Sequence, residues 1–344
     1  MERAPDRDQV VTSGWYAANI GPPCVAIEEA LGEGILARAL ARLRPGRGLL
    51  IYLAARAGAG AALRRRERGT LTALALAVLL GGAPIIVLEL IPDRPARPGW
   101  RRALKRAWFR TVERPIVRRG MHAGQALSEP ERIDLAAIYG VPVERLLHVP
   151  FALTRTGAAE IRPTSERSGV LSSGRAACDW ETLFAAAQGT DWPLTVVCGA
   201  AHRERIERLN GGGRATVLSE ISRDDHDRLM SGAAVFAMPL VEDGLSSGQV
   251  RLMTATELGT PVVASRVRTL APYTVDAETA ILVDPGDPAA LRSAIEALLA
   301  DPGRCERLAE AALARGRTRI YADYFADVGR MIETALAPER RTAG

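Results

Sequence analysis

A short loop of small polar residues precedes a helical pattern late in the chain, and its residue types suit the binding of an anion. The loop contains Gly244, Ser246, Ser247, Gly248 and Gln249. Glycines let a ligand approach the backbone closely, and serine hydroxyls can donate hydrogen bonds to it. The unpaired amides and the dipole at the start of the following helix favour negative charge at the same place. A serine-capped helix after a plain turn also fits these residues.

One carboxylate and one histidine are candidates for proton transfer or substrate binding. Glu89 follows an apolar run in "VLELIPD", and side chains at the carboxyl ends of parallel strands face the ligand crevice of such sheets. It could bind a substrate or act as a general base, and a salt-bridged structural role is the alternative. His122 begins a strand pattern instead of ending one, so it is the weaker candidate.

The sequence does not indicate a metal centre. Cys24, Cys178, Cys198 and Cys305 form no CxxC pair and the four histidines lie far apart, which argues against a zinc site and a disulfide framework. The segment 224–227, "DDHD", opens a helical pattern, where acidic residues suit the helix dipole. We therefore expect neither a metal nor a cofactor, and a reducing cytoplasm as the compartment.

The composition is that of a soluble globular protein with room for two domains. The chain has 344 residues and a formal net charge of +5, without the clustered basic and aromatic residues of a nucleic-acid-binding motif. Its start, "MERAPDRDQVV", is acidic and lacks the apolar stretch of a signal peptide. The apolar segment from Leu71 is interrupted by "GGAP" at 81–84, which favours a buried helix followed by a strand over a membrane span.

Helical and strand patterns alternate in two blocks separated by the polar segment 154–169, which is typical of an interdomain linker. In the first block we expect strands over 48–55, 84–90, 121–128 and 145–151, and helices over 26–45, 61–80, 100–120 and 129–140. In the second block we expect strands over 169–174, 193–199, 215–222, 234–240 and 262–264, and helices over 179–189 and 223–233, from 249, after 287 and over 317–336. Ser128, Asp179 and Asp287 are the expected N-caps, and Pro288 starts its helix.

Such alternation predicts an α/β protein with two doubly wound, Rossmann-like domains facing a cleft. The boundaries fall at 1–153 and 154–316. A C-terminal helix over 317–337 is expected to pack back toward the first domain, followed by a disordered tail over 338–344. Ligands of such sheets bind at the carboxyl ends of the strands, so the cleft is the expected site.

The stretch around the anion loop resembles a known family. "TATELGTPVV", which begins at Thr254, is similar to "EAMACGTPVV" in the donor site of retaining glycosyltransferases of the GT-B fold, which use nucleotide-sugars. That family carries two glutamates eight positions apart, and Ser246 and Thr254 take their places here. Ser247-Gly248-Gln249 resemble the "SGQ" loop of a subset that lacks the first glutamate. The resemblance covers about 120–336 and lies in the order of elements more than in any one residue.

The resemblance implies roles for individual residues. Thr254 would contact the nucleotide ribose, and Arg175 matches a "GR" arginine that touches the diphosphate in the family, with a solvated loop arginine as the alternative. Asp179-Trp180 resemble part of an "RDW" pattern of the same subset. Arg251, one turn into the helix, could help to stabilise the diphosphate or could face solvent, and solvent is the favoured alternative. The donor diphosphate and sugar would be held by the loop residues Gly244, Ser246, Ser247, Gly248 and Gln249.

The activity implied by the resemblance is a hexosyl transfer of a bacterial, biosynthetic type. A sugar would move from a nucleotide-diphosphate sugar, a co-substrate, to a small molecule, natural product or lipid-linked glycan held by residues 1–153. Configuration would be retained, and no metal would be needed. Loss of both glutamates favours a second interpretation, a catalytically silent homologue that binds a sugar nucleotide or assists a partner enzyme. A sugar-nucleotide epimerase shares the fold, but its clustered acidic and histidine residues are not found.

The segment 100–119 is strongly basic, with Glu113 as its one acidic residue and with interleaved aromatics Trp100, Trp108 and Phe109. It could lie on an anionic membrane, at the inner face, and present a lipid-linked acceptor. The sequence favours the alternative, a solvated helix with its aromatics in the core. The eight basic residues are Arg101, Arg102, Lys105, Arg106, Arg110, Arg114, Arg118 and Arg119.

Overall fold

The computed structural model describes residues 7–31, 39, 42–92, 100–153 and 161–337. The chain forms two compact units, one made of Met1–Pro150 with Ala322–Gly344 and the other of Phe151–Tyr321. The sequence places these divisions after residues 153 and 316. Residues 154–160 of the expected linker, and the expected tail over 338–344, lie outside the described residues. Each unit contains one six-stranded sheet.

The first sheet is wholly parallel, with the strand order β2-β1-β3-β4-β5-β6. All four residues of β4 are buried because helices cover both faces of such a sheet. The strands are β1 (Val10–Thr12), β2 (Cys24–Ala26), β3 (Gly60–Arg64), β4 (Ile85–Leu88), β5 (Met121–Ala126) and β6 (Leu146–His148). The helices are Gly14–Ile20, Ile27–Ala30, Arg44–Ala57, Thr70–Leu80, Trp100–Trp108, Arg114–Gly120, Glu129–Tyr139 and Tyr321–Leu336, with a π-helical turn at Phe109–Glu113.

The strand predicted over 48–55 is wrong, because these residues lie within the helix Arg44–Ala57. The buried residues Gly48, Ile51, Tyr52 and Ala55 recur at helical spacing, so one face of the helix packs inward. Pro45 lies in the first turn of this helix, where its missing amide is harmless. Of the helix predicted over 26–45, Ala26 belongs to β2, and residues 32–38, 40 and 41 lie outside the described residues.

The helix predicted over 61–80 is also wrong in its first part. Gly60–Arg64 forms β3 between β1 and β4, and the helix begins only at Thr70. A run of small apolar residues does not distinguish the two states, and pairing with neighbouring strands on both sides decides it. Strands β1 and β2 are not predicted at all, because three residues are too few to show a period. The helix expected over 317–336 is present as Tyr321–Leu336, whereas the separate helix Pro302–Arg317 before it is not predicted.

The second sheet is parallel with the order β12-β11-β10-β7-β8-β9. In β10, Val235 and Ala237 belong to the core on one face, and Phe236 and Met238 to the core on the other. The strands are β7 (Val170–Gly174), β8 (Leu194–Cys198), β9 (Ala215–Ser219), β10 (Val235–Met238), β11 (Val262–Ser265) and β12 (Ile281–Val283). The helices are Trp180–Ala187, Ala200–Leu209, Arg223–Gly232, Gln249–Glu257, Pro288–Leu299 and Pro302–Arg317.

Side-chain caps begin several helices as the sequence predicts. Asp179 accepts a hydrogen bond from the Thr182 amide at 3.1 Å, and Asp287 accepts one from the Ala290 amide at 2.9 Å. Ser128 caps the helix Glu129–Tyr139.

No helix within the described residues is long and apolar enough to cross a membrane. The apolar segment from Leu71 consists of the helix Thr70–Leu80 and strand β4, separated by a turn with positive φ at Gly81 and Gly82.

The expectation that the aromatic residues of segment 100–119 lie in the core is wrong. Trp100 and Trp108 are exposed, and only Phe109 packs partly inward, with its ring centroid 5.5 Å from that of Tyr139.

Candidate functional site

Two loops leave the carboxyl edge of the second sheet at its topological switch point. Strands β7 and β10 are neighbours, and the chain continues from β7 to β8 on one side and from β10 to β11 on the other. Open parallel sheets bind ligands in the crevice at such a point. The two loops are joined directly, because the Asp179 amide donates to the Pro239 carbonyl at 3.0 Å and the Val241 amide donates to the Ala177 carbonyl at 2.9 Å.

Carboxylates shape the loop that follows β10. Glu242 accepts hydrogen bonds from the amides of Gly244, at 3.1 Å, and Arg268, at 2.7 Å. The Leu245 amide donates to Asp243 at 3.2 Å. The acidic turn therefore folds the loop onto itself, and the small residues Ser246 and Ser247 that follow are buried.

Gly248 brings the loop into the helix Gln249–Glu257. It is the N-cap in a left-handed conformation, with φ +92°, which favours glycine. A Cβ atom there would lie 3.0 Å from the Met238 sulfur, so the start of the helix packs closely on the end of β10. The first helical bond runs from Leu252 to the Gly248 carbonyl, so the amides of residues 249–251 precede it. These amides and the dipole suit an anion at the switch point.

Gln249 and Thr254 are both buried side chains of this helix. The Gln249 amide nitrogen Nε2 donates to the Thr269 carbonyl at 3.2 Å, which anchors the first turn. The Thr254 hydroxyl donates to the Val250 carbonyl at 2.9 Å, one turn earlier. Back-bonding of this kind occupies the hydroxyl proton within the helix. A role of Thr254 at the ribose stays a prediction.

Arg251 does not face solvent, which contradicts the expectation. Its Nη1 atom donates to the Ser173 carbonyl and lies 3.4 Å from the Cys178 sulfur. A Cβ atom on Gly174 would lie only 2.3 Å from the same Nη1, so the glycine at the end of β7 leaves space for the guanidinium. A cation therefore lies at the switch point, one turn from Gly248. The signal missed in the sequence is Gly174, whose need for space is visible only with its neighbours.

Arg175 lies in the loop after β7, on the other wall of the crevice. Its Nη2 atom is 3.0 Å from Glu220, and its side chain is 70% exposed. The Arg175 carbonyl oxygen lies 3.0 Å from His202 Nε2, which holds the backbone of the loop. Exposed ion pairs contribute about 0–1 kcal/mol, so an incoming anion could replace Glu220 as partner. Diphosphate binding by Arg175 stays a prediction.

His226 is a residue of this edge that sequence reasoning did not single out. Its Nε2 atom lies 2.9 Å from the hydroxyl oxygen of Ser173, the last residue but one of β7. Burial lowers the pKa of His226, although the neighbouring carboxylate of Asp227 opposes that shift. The neutral imidazole is therefore favoured.

The acidic run 224–227 lies at the start of a helix, as the sequence suggests, and Ser222 is the N-cap. Ser222 accepts a hydrogen bond from the Asp225 amide at 3.1 Å, and its hydroxyl donates to the Asp225 carboxylate at 2.6 Å. The second hydrogen bond, together with Arg228, lowers the pKa of Asp225. In the part of the chain that the structure describes, no group of three or more His, Cys, Asp or Glu side chains could hold a metal ion.

The G-T-P turn after the helix is held by a buried arginine. Arg167 donates to the Thr260 hydroxyl at 2.9 Å and to the Leu258 carbonyl at 2.7 Å. The Thr260 hydroxyl in turn donates to the Met230 carbonyl at 2.7 Å. The G-T-P turn thus fixes the end of the helix and the start of β11, and its contacts are structural.

Glu89 belongs to a closed hydrogen-bond ring in the first unit. It follows β4 with φ +47°, and its carboxylate accepts from the Tyr16 hydroxyl at 3.0 Å, while its amide donates to Gln125 at 3.1 Å. The Tyr324 hydroxyl lies 3.1 Å from both the Tyr16 hydroxyl and Gln125 Nε2. Burial raises the pKa of Tyr16, and Tyr324 and Glu89 add to that shift. The ring fixes the carboxylate at the strand end, and its role as base or acceptor ligand stays a prediction.

The ring also ties the C-terminal helix Tyr321–Leu336 to the sheet, since Tyr324 belongs to that helix. His122 also joins the sheet to this helix, because its Nε2 atom lies 2.8 Å from the Ala335 carbonyl oxygen.

Comparisons with known proteins agree with this geometry. Residues 179–301 match the family model for glycosyl transferases group 1. The match begins at Asp179, the N-cap after β7, and includes the loop after β10 and the helix Gln249–Glu257. Over 141 residues the chain is 30% identical to the D-rhamnosyltransferase WbpZ of Pseudomonas aeruginosa. That match spans 39% of this chain and 36% of the relative, about a third of its length.

Solved structures show that the fold is GT-B. Anabaena HepE in complex with UDP and glucose has a TM-score of 0.67 at 14% identity, covering 95% of this chain and 100% of that one. A glycosyltransferase from Rickettsia africae has a TM-score of 0.66 at 11% identity, covering 96% and 99%. The sucrose-phosphate synthase of Thermosynechococcus elongatus has a TM-score of 0.64 at 19% identity, covering 90% and 82%. The expected α/β architecture with two doubly wound parallel sheets is confirmed.

Proposed function

We propose that this chain transfers a sugar from a nucleotide-diphosphate sugar to an acceptor, with retention of configuration and without a metal ion. The observation that carries the proposal is the meeting of the Gly248 helix start with the guanidinium of Arg251 at the switch point of the second sheet. The group 1 match over residues 179–301 supports the same reaction class. The complex of HepE with UDP and glucose shows a GT-B neighbour that binds such a nucleotide.

The proposed chemistry places positive charge where the leaving group becomes negative. As the bond between sugar and diphosphate breaks, charge develops on the diphosphate oxygens. The amides of residues 249–251, Arg251 and, after exchange of its partner Glu220, Arg175 would stabilise that charge. Fixed donors of this kind make a metal ion unnecessary. Retention is proposed on the resemblance of residues 242–265 to retaining enzymes.

The acceptor is proposed to bind at the carboxyl edge of the first sheet. Glu89 is held there by Tyr16, with the carboxylate fixed beside the end of β4. A fixed carboxylate can accept a hydrogen bond from a sugar or alcohol hydroxyl, or take up its proton. A small molecule, a natural product or a lipid-linked glycan would each supply such a hydroxyl.

Thermal unfolding with a panel of nucleoside diphosphates tests this proposal. We expect one of UDP, GDP, ADP and TDP to raise the melting temperature, because a ligand at about 100 times its Kd stabilises by about 2.7 kcal/mol. Sugar conjugates of the same nucleotide should then be hydrolysed slowly without acceptor and consumed faster with one. If none of the four nucleotides moves the melting curve, the donor site is assigned wrongly.

A second candidate function is a catalytically silent sugar-nucleotide-binding protein that assists a partner enzyme. It is favoured by Thr254, whose hydroxyl is bonded to the Val250 carbonyl where the family carries a carboxylate. This protein would show the thermal shift with a nucleotide, but no hydrolysis or transfer of any conjugate of it. Release of nucleoside diphosphate over time distinguishes the two candidates.

A further inference from the structure

The helix Trp100–Trp108 turns its apolar face outward. Trp100, Leu104 and Trp108 are 69%, 58% and 52% exposed. Residues four apart lie on one side of a helix, and Ala103 and Ala107 on the same side are exposed as well. An amphipathic helix of a globular protein normally directs this stripe at the core. Here the stripe is exposed, as are Lys105 and Arg106 on the other faces of the helix.

The C-terminal end of this helix is anchored, although the stripe Trp100, Leu104 and Trp108 is exposed. The chain continues into the π-helical turn Phe109–Glu113, and Phe109 packs on Tyr139. The Glu113 carboxylate accepts a hydrogen bond from Arg65 Nε at 2.9 Å. Among the described elements, only this turn packs extensively against the helix Trp100–Trp108. The helix therefore projects from an anchored base.

The rest of the surface of this helix and of the turn after it is positively charged. Lys105, Arg106 and Arg110 are exposed. Glu113 is the one acidic residue between 100 and 120, and its carboxylate is half of a nearly buried ion pair with Arg65. Its charge is therefore balanced inside the protein, and the positive charge of the projecting helix remains.

We propose that the helix Trp100–Trp108 docks on the surface of an anionic phospholipid membrane. The stripe Trp100, Leu104 and Trp108 would enter the boundary between headgroups and acyl chains, and Lys105, on the flank of the stripe, would contact the phosphates. Arg106 lies on the opposite side of the helix, where it would be attracted by the anionic surface without contacting it. Tryptophan at both ends of the stripe favours a lipid surface as the occupant, because its amphipathic ring prefers the membrane interface. This docking goes beyond sugar transfer and does not depend on it.

Vesicle flotation of the full chain without nucleotide tests the docking. We expect binding to vesicles of phosphatidylcholine with phosphatidylglycerol, much weaker binding to phosphatidylcholine alone, and release as salt rises. The fluorescence of Trp100 and Trp108 should shift to the blue and be quenched by brominated lipid. Trp180 and Trp192 are buried and should not respond, whereas Trp15 is 43% exposed on another helix. W100F/W108F distinguishes the docked residues from Trp15 and should abolish the change.

Paired variants distinguish docking through the stripe from non-specific adsorption by exposed apolar side chains. L104S/W108S should lose most of the flotation, whereas the control L79S/L80S should keep it. Leu79 and Leu80 are equally exposed but end the helix before β4, at the opposite edge of the sheet from Glu89. All four side chains are exposed, so the folds should be unaffected.

A second pair tests the charge with no loss of apolar surface. K105Q/R106Q should bind about thirty-fold more weakly, because each basic residue near an anionic surface contributes about 1 kcal/mol. The control R203Q/R208Q removes two exposed arginines from the helix Ala200–Leu209 of the second unit and should bind as the unchanged chain does.

Three results would overturn the docking. The first is absence of binding to anionic vesicles at low salt. The second is equal weakening by L104S/W108S and L79S/L80S. The third is a dimer in sedimentation that L104S/W108S dissociates while flotation persists, which would make the stripe an interface between two copies. If the unchanged chain binds no nucleoside diphosphate, the proposed function is refuted and the docking proposal is unaffected.

Discussion

Replacement of Gly248 by alanine tests the donor site at its most constrained backbone position. The residue has φ +92°, and an added Cβ would lie 3.0 Å from the Met238 sulfur and 3.3 Å from the Leu240 side chain. The chain offers a matched control in Gly286, which has φ +77° and no atom within 4 Å of an added Cβ. G286A therefore introduces the backbone strain alone, and G248A introduces the strain together with crowding at the start of the helix.

The two contributions can be estimated separately. A left-handed conformation costs an alanine about 1–2 kcal/mol relative to its favoured conformations. Crowding against the flexible Met238 side chain adds about 1 kcal/mol, at the low end for overpacking. We expect the free energy of unfolding to fall by about 1–2 kcal/mol in G286A and about 2–3 kcal/mol in G248A. Each kcal/mol lowers the melting temperature by about 2–4 °C in a domain of about 150–250 residues.

Binding distinguishes the two variants more sharply than stability does. Relief of the contact with Met238 moves the helix start, so the amides of residues 249–251 lose their alignment on the diphosphate. We expect titration calorimetry with the active nucleoside diphosphate to show at least a tenfold loss of affinity in G248A and none in G286A. Equal affinities in the two variants would refute the assignment of the Gly248 helix start as the diphosphate site, even if both variants lost stability as calculated.

Three further perturbations test other parts of the structure. R251Q should weaken nucleoside diphosphate binding at least tenfold in calorimetry, whereas R228Q, an exposed control on another helix, should leave it unchanged; equal effects would exclude Arg251 from the site. Y324F should lower the free energy of unfolding in urea by about 1–3 kcal/mol, because buried polar atoms lose their partner, and a change near zero would mean that the ring does not stabilise the first unit. The pKa of His226 is lowered by burial, so its stabilising contribution is present above its ordinary pKa and is lost as the pH falls below about 6.5. H226Q should flatten this acid-side decline in thermal melts, and an unchanged pH profile would contradict it.

Much of the second unit follows from local sequence. Its strands are continuous apolar runs, and carboxylates such as Asp179 and Asp287 mark the helix starts, because a side-chain cap is a contact between near neighbours. Gly248 is identifiable for the same reason, since a left-handed cap is a property of a single residue. These features depend on interactions within a few residues, which the order of amino acids specifies directly.

The first unit shows where local sequence is insufficient. The sequence predicts the wrong state for residues 48–55, a strand instead of a helix, and for residues 61–64, a helix instead of a strand. Each is too short for its periodicity to distinguish helix from strand. Their states are decided by what they pack against, which for β3 is a strand on each side.

The sequence by itself determined strands β7 to β11 of the second unit, the caps and the small polar loop that ends at Gly248, but not strand β12 or the helices Ala200–Leu209 and Pro302–Arg317. Only the tertiary structure decided which way long side chains point. Arg251 turns toward the end of β7, where Gly174 leaves room for it, and Trp108 remains exposed although the Phe109 and Glu113 contacts anchor the chain directly after it. A side chain's direction depends on atoms far away in the chain, and periodicity within one element contains no information about them.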